Sequence, residues 1–215
     1  MNDKNRKYWE LKFKNKKSVW GNKQSRAAEL TVLDLKERKV DLERFTLLDV
    51  GCGYGRDLAY FVKNGIKQVM GIDHSKEAIK LAKKLHPQIS IVEGDVENYQ
   101  FVEKYDIIYC NFLLHLFSFK KTKTVLEKLY YILNDMGLLY TIVSSEKDDD
   151  YKQGIKIGPD VVKNSRGIVK TFYSDSRINN IYGSLFKVGY ILFEEEHDHD
   201  NRHKHLNYFI ICQKS

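Results

Sequence analysis

Between residues 45 and 145 the chain alternates, without a break, between short apolar runs and longer segments of helical spacing. The runs are FTLLDV (45–50), KQVMGID (67–73), ISIVEGD (89–95), KYDIIYCN (104–111) and MGLLYTIVSS (136–145). Segment 53–65 places Leu58, Ala59, Phe61 and Val62 on one side. Segment 75–87 has Ser75 as a cap, Glu77 in its first turn and Pro87 after its end. Segment 120–135 spaces Val125, Leu126, Leu129, Ile132 and Leu133 as a helix does. Strands apolar throughout and joined by helices form a parallel sheet covered on both faces. The expected fold class is α/β, a doubly wound sheet.

After residue 145 the pattern changes. Residues 146–177 are polar and weakly periodic, which predicts a long loop over the site, with Tyr151, Phe172 and Tyr173 as its pocket aromatics. A helix is expected over 179–190, then strands at 191–196 and 205–214 joined by the hairpin HDHDNRHK. No repeat or linker divides the chain, so one domain is expected over 1–215. Its parts are a helical arm or lid (1–44), a core (45–145), and a substrate loop with the C-terminal hairpin (146–215).

The first strand–helix turn, Gly51-Cys52-Gly53-Tyr54-Gly55-Arg56, lies where a doubly wound sheet binds its ligands. Bare glycines let a backbone approach a ligand closely. The GxGxG spacing is tighter than the GxGxxG that cradles a pyrophosphate, and Asp49 just before it repels phosphate but suits a cation. Asp73, 22 residues after Gly51 at the second strand's end, can accept from both hydroxyls of a ribose. Asp95, after the third strand, can accept from an exocyclic amine such as adenine's.

As a set, LLDVGCGYGRD (47–57), GIDHS (71–75) and EGDVEN (93–98) resemble the first three motifs of the class I S-adenosylmethionine-dependent methyltransferases. The likeness runs from about residue 45 to 145, with YCNFLLHLF (109–117) resembling the segment under the cofactor. It departs at Asp135-Met136-Gly137, where the family has Pro-Gly-Gly. The resemblance implies a Rossmann-like, mostly parallel seven-stranded sheet of order 3-2-1-4-5-7-6, strand 7 antiparallel. It implies S-adenosylmethionine as cofactor, with Asp49, Gly51, Cys52, Gly53 and Gly55 around its methionine part. Asp73 would take the ribose, Asp95 and Val96 the adenine, and Asn111 the floor, with His74 a further cofactor-binding residue. Residues 8–29 are similar to the lid of the small-molecule branch, the tellurite-resistance-like and thiopurine-like enzymes, which makes Trp20 and Ser25 lid candidates. Arg56 either meets the methionine carboxylate or starts a helix at the surface.

Methyl transfer from a sulfonium is an in-line displacement, so alignment and a dry pocket carry much of the catalysis. A base is needed only where the acceptor must lose a proton. His115 is placed for that role, or is bonded to neighbouring backbone; His199 and Tyr173 are further catalytic candidates. No Asn-Pro-Pro-aromatic segment follows the fourth strand, and Cys110 is a weak nucleophile candidate. The hairpin histidines His197, His199, His203 and His205 form a candidate divalent-metal site, set against a solvated polar hairpin.

The expected function is methyl transfer to a small-molecule acceptor. One alternative is an RNA methyltransferase docking through the basic arm, where residues 1–26 hold nine Lys/Arg against two acids. The other is a non-catalytic S-adenosylmethionine-binding subunit. Three dispersed cysteines, no apolar run near membrane-spanning length and a charged N-terminus predict a cytoplasmic protein without a membrane partner. The sequence does not set the oligomeric state.

Overall fold

The computed structural model describes residues 1–15, 19–195 and 205–214. Helices α1 (Asp3–Asn15) and α2 (Arg26–Glu37) form the arm. The core follows as β1 (Thr46–Val50), α3 (Arg56–Lys63), β2 (Gln68–Asp73), α4 (Lys76–Leu85), β3 (Ser90–Glu93), β4 (Tyr105–Asn111), α5 (Phe119–Ile132) and β5 (Leu133–Ser144). Beyond it lie α6 (Asp149–Gln153), β6 (Ile155–Gly158), β7 (Val161–Lys163), β8 (Val169–Thr171), α7 (Asp175–Tyr182), β9 (Lys187–Glu195) and β10 (His205–Gln213).

Seven strands form one sheet in the order β3-β2-β1-β4-β5-β10-β9, the expected order with the last strand in sequence lying inside the sheet. β10 is antiparallel to both β5 and β9, and the other pairings are parallel. Leu47, Leu48, Ile107, Ile108, Leu139 and Ile142 are fully buried in the central strands. Adjacent residues face opposite sides of a strand, so one apolar layer holds Leu48, Ile108 and Leu139 with α5, the other Leu47, Ile107 and Leu138 with α2 and α3. Ser75 caps α4 as expected, its hydroxyl accepting from the Ala78 N–H at 3.1 Å. No helix among the described residues is long and apolar enough to cross a membrane.

Three segments depart from the sequence reading. The expected loop at 146–177 contains α6 and a three-stranded antiparallel sheet, β6-β7-β8. The helix expected at 179–190 lies at 175–182, where Ser174 caps its start by accepting from the Arg177 N–H. Residues 187–190 instead open β9. At 133–137 the helix ends early and the chain enters β5 through an irregular register, with Met136 at φ 63°. A Cβ on Gly137 would stand 2.8 Å from the Asn134 carbonyl oxygen, so the close turn requires glycine.

Candidate active site

A cavity of about 790 Å³ opens at the carboxyl ends of β1, β2 and β4, beneath the arm. The glycine turn forms one wall. Gly51 lies at φ +81°, and a Cβ there would press on Leu113 at 3.3 Å. Gly53 lies at φ +54°, and its N–H donates to Asp73 Oδ2 at 2.9 Å. The other Asp73 oxygen accepts from the Ser75 N–H at 2.9 Å. One carboxylate thus fixes the first turn relative to the second. Asp49, Cys52, His74 and Asn111, singled out in the sequence, also line the cavity, as do Trp20 and Arg56.

The arm supplies the roof. Trp20 stacks on Tyr54, with centroids 6.4 Å apart and planes 14° from parallel. The Tyr54 hydroxyl donates to the Gly21 carbonyl at 2.6 Å, and Arg56 Nη1 donates to the Trp20 carbonyl at 3.2 Å. Arg56 therefore serves the roof through its link to Trp20. Trp9 and Phe13 of α1 extend the aromatic wall, and Lys12 Nζ lies 4.9 Å from the Trp9 ring centroid.

Three acidic side chains, Asp49, Asp57 and Asp73, line the cavity. Asp49 is 2 % exposed. Burial, then the carboxylates of Asp57 and Asp73, raise its pKa well above the ordinary aspartate range. Burial and the same acidic surroundings also push the Cys52 thiol up, which keeps it protonated and unreactive. A ligand carrying positive charge meets a complementary site here.

Asp95 and Val96 border a separate recess of about 20 Å³ that also touches Asp73 and is bounded by Met1 and Arg6. That is room for about one water. Arg6 Nη2 pairs with Asp95 and, at 2.9 Å, with Glu97. A purine ring enters only if the first turn of α1 shifts.

Other candidates lie elsewhere. His115 is 3 % exposed, and its Nδ1 lies 3.1 Å from the Ser144 hydroxyl and 3.2 Å from the Ser144 N–H. Burial, and then Lys170, lower its pKa well below the usual histidine value. It borders the apolar core and not the cavity, so the backbone-bonded reading is the one the geometry matches. Tyr173 is fully buried, with its hydroxyl 3.2 Å from that of Thr122 and its ring against Phe119. Phe172 is also buried, so neither ring faces the cavity; Tyr151 packs against Phe172. Cys110 is buried with its thiol pKa raised by burial.

His197, His199 and His203 lie outside the described residues. His205 sits with Asp148 and Asp150, the three donor atoms within 4.8 Å of one another. His205 Nδ1 is 3.3 Å from Asp148 Oδ2, and Lys170 Nζ is 2.8 Å from Asp150 Oδ2. Burial opposes ionisation of Asp150, but the Lys170 ammonium outweighs it and holds the pKa at about 2. The lysine therefore occupies a position where a metal would compete with it.

Sequence reasoning passed over Asp57, Tyr109 and Glu194, which also line the cavity. Spacing alone carried no signal for them, because their roles depend on how the arm and β9 pack.

The cavity suits an adenosyl sulfonium on one further observation. Five buried side-chain polar atoms among the described residues lack a partner, and three of them, Trp9 Nε1, His74 Nε2 and Asn111 Oδ1, belong to cavity-lining residues. Buried polar groups are ordinarily satisfied, so these mark places for a ligand's polar atoms.

Residues 47–137 match the family model described as a methyltransferase domain. An uncharacterized methyltransferase of Alkaliphilus oremlandii is 25% identical over 164 residues, 75% of each chain. Magnesium protoporphyrin IX methyltransferase from Synechocystis, solved with bound S-adenosylhomocysteine, superposes with a TM-score of 0.73 at 16% identity, covering 98% of both chains. The Burkholderia thailandensis 1,6-didemethyltoxoflavin-N1-methyltransferase, solved with its substrate and S-adenosylhomocysteine, superposes at 0.70 with 17% identity, covering 98% of this chain and 87% of that one. The domain match, the sheet order and the cavity at the glycine turn together make residues 47–137 a methyltransferase domain within a Rossmann-like sheet.

Proposed function

We propose that the chain transfers the methyl group of S-adenosylmethionine to a small-molecule acceptor, in the cytosol. The observation that carries the proposal is the roofed cavity, where the glycine turn and Asn111 meet the acidic side chains of Asp49, Asp57 and Asp73 beneath an aromatic arm. Asp49 and Gly51–Gly55 would hold the methionine part, Asp73 with His74 the ribose, and Asp95 with Val96 the adenine once Arg6 gives way. S-adenosylmethionine supplies an activated methyl on a sulfonium. Held there, it would offer that methyl to the acceptor's lone pair, with the neutral thioether as the leaving group.

The chain's contribution is alignment and exclusion of water. Asn111 and Leu113 shape the floor, and Trp20 and Tyr54 close the roof. His115 Nδ1 is engaged by Ser144 and the residue is outside the cavity lining, which supports a structural role for it. The two neighbours named above are a magnesium protoporphyrin IX methyltransferase and a 1,6-didemethyltoxoflavin-N1-methyltransferase, which supports an acceptor of the small-molecule class for the roofed cavity.

The test is incubation with S-adenosylmethionine labelled in its methyl group, presented with the small-molecule fraction of a cell extract or with total RNA. Label entering the small-molecule fraction is the expected result. Label entering RNA, or entering neither, overturns the small-molecule reading.

A further inference from the structure

Asp57, the second residue of α3, is 6 % exposed and collects donors from three separate parts of the chain. Its Oδ1 accepts from the Ser25 N–H at 2.8 Å. Its Oδ2 accepts from the Ser25 hydroxyl at 2.7 Å, the Tyr109 hydroxyl at 3.1 Å and Asn111 Nδ2 at 3.2 Å. Arg56 Nε lies 3.3 Å from Oδ1. Ser25 is also the N-cap of α2, accepting from the Ala28 N–H at 3.1 Å. One buried carboxylate therefore joins the arm, the glycine-turn helix and the end of β4.

The chemistry of a carboxylate fixes more than position. An ionised carboxylate only accepts, so the face of the Asn111 amide turned toward it must be the nitrogen. The Ser25 hydroxyl spends its one hydrogen on Asp57 and so accepts from Asn111 Nδ2, at 3.3 Å. Asn111 Oδ1 is thereby directed away from the cluster, and it is the unpartnered acceptor noted above.

We propose that Asp57 is a positioning residue with two linked effects: it latches the 20–25 segment over the cavity through Ser25, and it turns the Asn111 amide so that its oxygen is the atom left for a bound molecule. The latch is a property of the ligand-free chain and does not depend on which acceptor is methylated.

Replacing Asp57 by Asn keeps the shape but puts an NH₂ where donors already point. Hydrogen bonds to a buried charge are strong enough that losing the set is expected to free the arm at least tenfold. The experiment is limited trypsin digestion of the ligand-free protein, reading cleavage after Lys23 relative to cleavage after the exposed Lys104. Asp57→Asn is expected to raise that ratio tenfold or more. The reciprocal exchange, Asp57→Asn with Asn111→Asp, restores a donor facing an acceptor and is expected to bring the ratio back to within about threefold of the parent. A ratio unchanged in Asp57→Asn, or an exchange no better than the single variant, overturns the proposal. If Asp57→Asn does not melt cooperatively, Ser25→Ala decides. It removes the hydroxyl and keeps the Ser25 N–H, so a severalfold rise supports the latch and no change overturns it. Binding of S-adenosylhomocysteine, measured separately by calorimetry, tests the cofactor reading on its own.

Discussion

Asp49→Asn is expected to stabilise the ligand-free protein, although it alters the floor of the site. Asp49 is 2 % exposed and shares its surroundings with Asp57 and Asp73. Burial and those carboxylates raise its folded pKa above the 3.8 it starts from. Between the two values the folded state binds more protons than the unfolded state, so stability falls as pH rises through that window. At and below the lower end the contribution is fully present. An amide at 49 carries no charge to bury and offers two N–H donors to the neighbouring carboxylates. Relief of a buried, crowded charge is worth about 1–2 kcal/mol. With an unfolding entropy of about 0.45 kcal/mol per degree for 215 residues, the melting temperature rises by roughly 2–5 °C. The assay is thermal melting of parent and variant across pH, with and without saturating S-adenosylmethionine. The gain should be full in mildly alkaline buffer and shrink as the buffer is acidified. The cofactor, whose sulfonium and ammonium offset the field, should stabilise the parent more than the variant. A variant that melts below the parent in alkaline buffer, or a difference that ignores pH, refutes the reasoning.

If the adenine sits at Asp95 as proposed, Arg6→Ala should tighten S-adenosylhomocysteine binding about two- to fivefold by calorimetry, because the partly exposed Arg6–Asp95 pair is worth at most ~1 kcal/mol and would have to yield; weaker binding would show that Arg6 helps hold the ligand. Asp73→Asn should weaken the same binding at least tenfold, and unchanged affinity would remove Asp73 from the cofactor site. Gly71→Ala would set a Cβ 2.5 Å from Leu58 and 2.8 Å from Cys52 Sγ, so a loss of ~1–3 kcal/mol and a fall of several degrees in melting temperature are expected; an unchanged melt would show that α3 shifts freely.

The glycine turn and Asp73 were legible in the sequence because their signals are local. A strand, a glycine turn and an acid at the next strand end occupy fixed intervals along the chain, and each interval maps onto one corner of the cavity. His115 shows where interval reading stops: its place after β4 was clear, but its side chain turns to Ser144, and spacing does not encode that direction. Asp57 reads as an ordinary first-turn acid until the arm brings Ser25 to it. Residues 146–177 looked like a loop because β6, β7 and β8 hold only three or four residues each, too few for alternation to stand out from polar surroundings. Misplacing the following helix followed from trusting the apolar residues at 185–190 over the Ser174 cap.

The inner position of β10 has a consequence for how the molecule is made. Among the described residues β9 pairs with β10 alone, while β10 also pairs with β5. During synthesis the chain emerges N-terminus first at about 5–20 residues per second. β1 to β5 can assemble before the rest of the chain is made, since each finds at least one partner within that set. β9 cannot join them. It waits beside an open β5 edge until β10 is made, then enters the sheet together with it. The nascent protein thus passes through a stage with an unpaired edge and a loose apolar strand, the period in which it is most exposed to association with other chains.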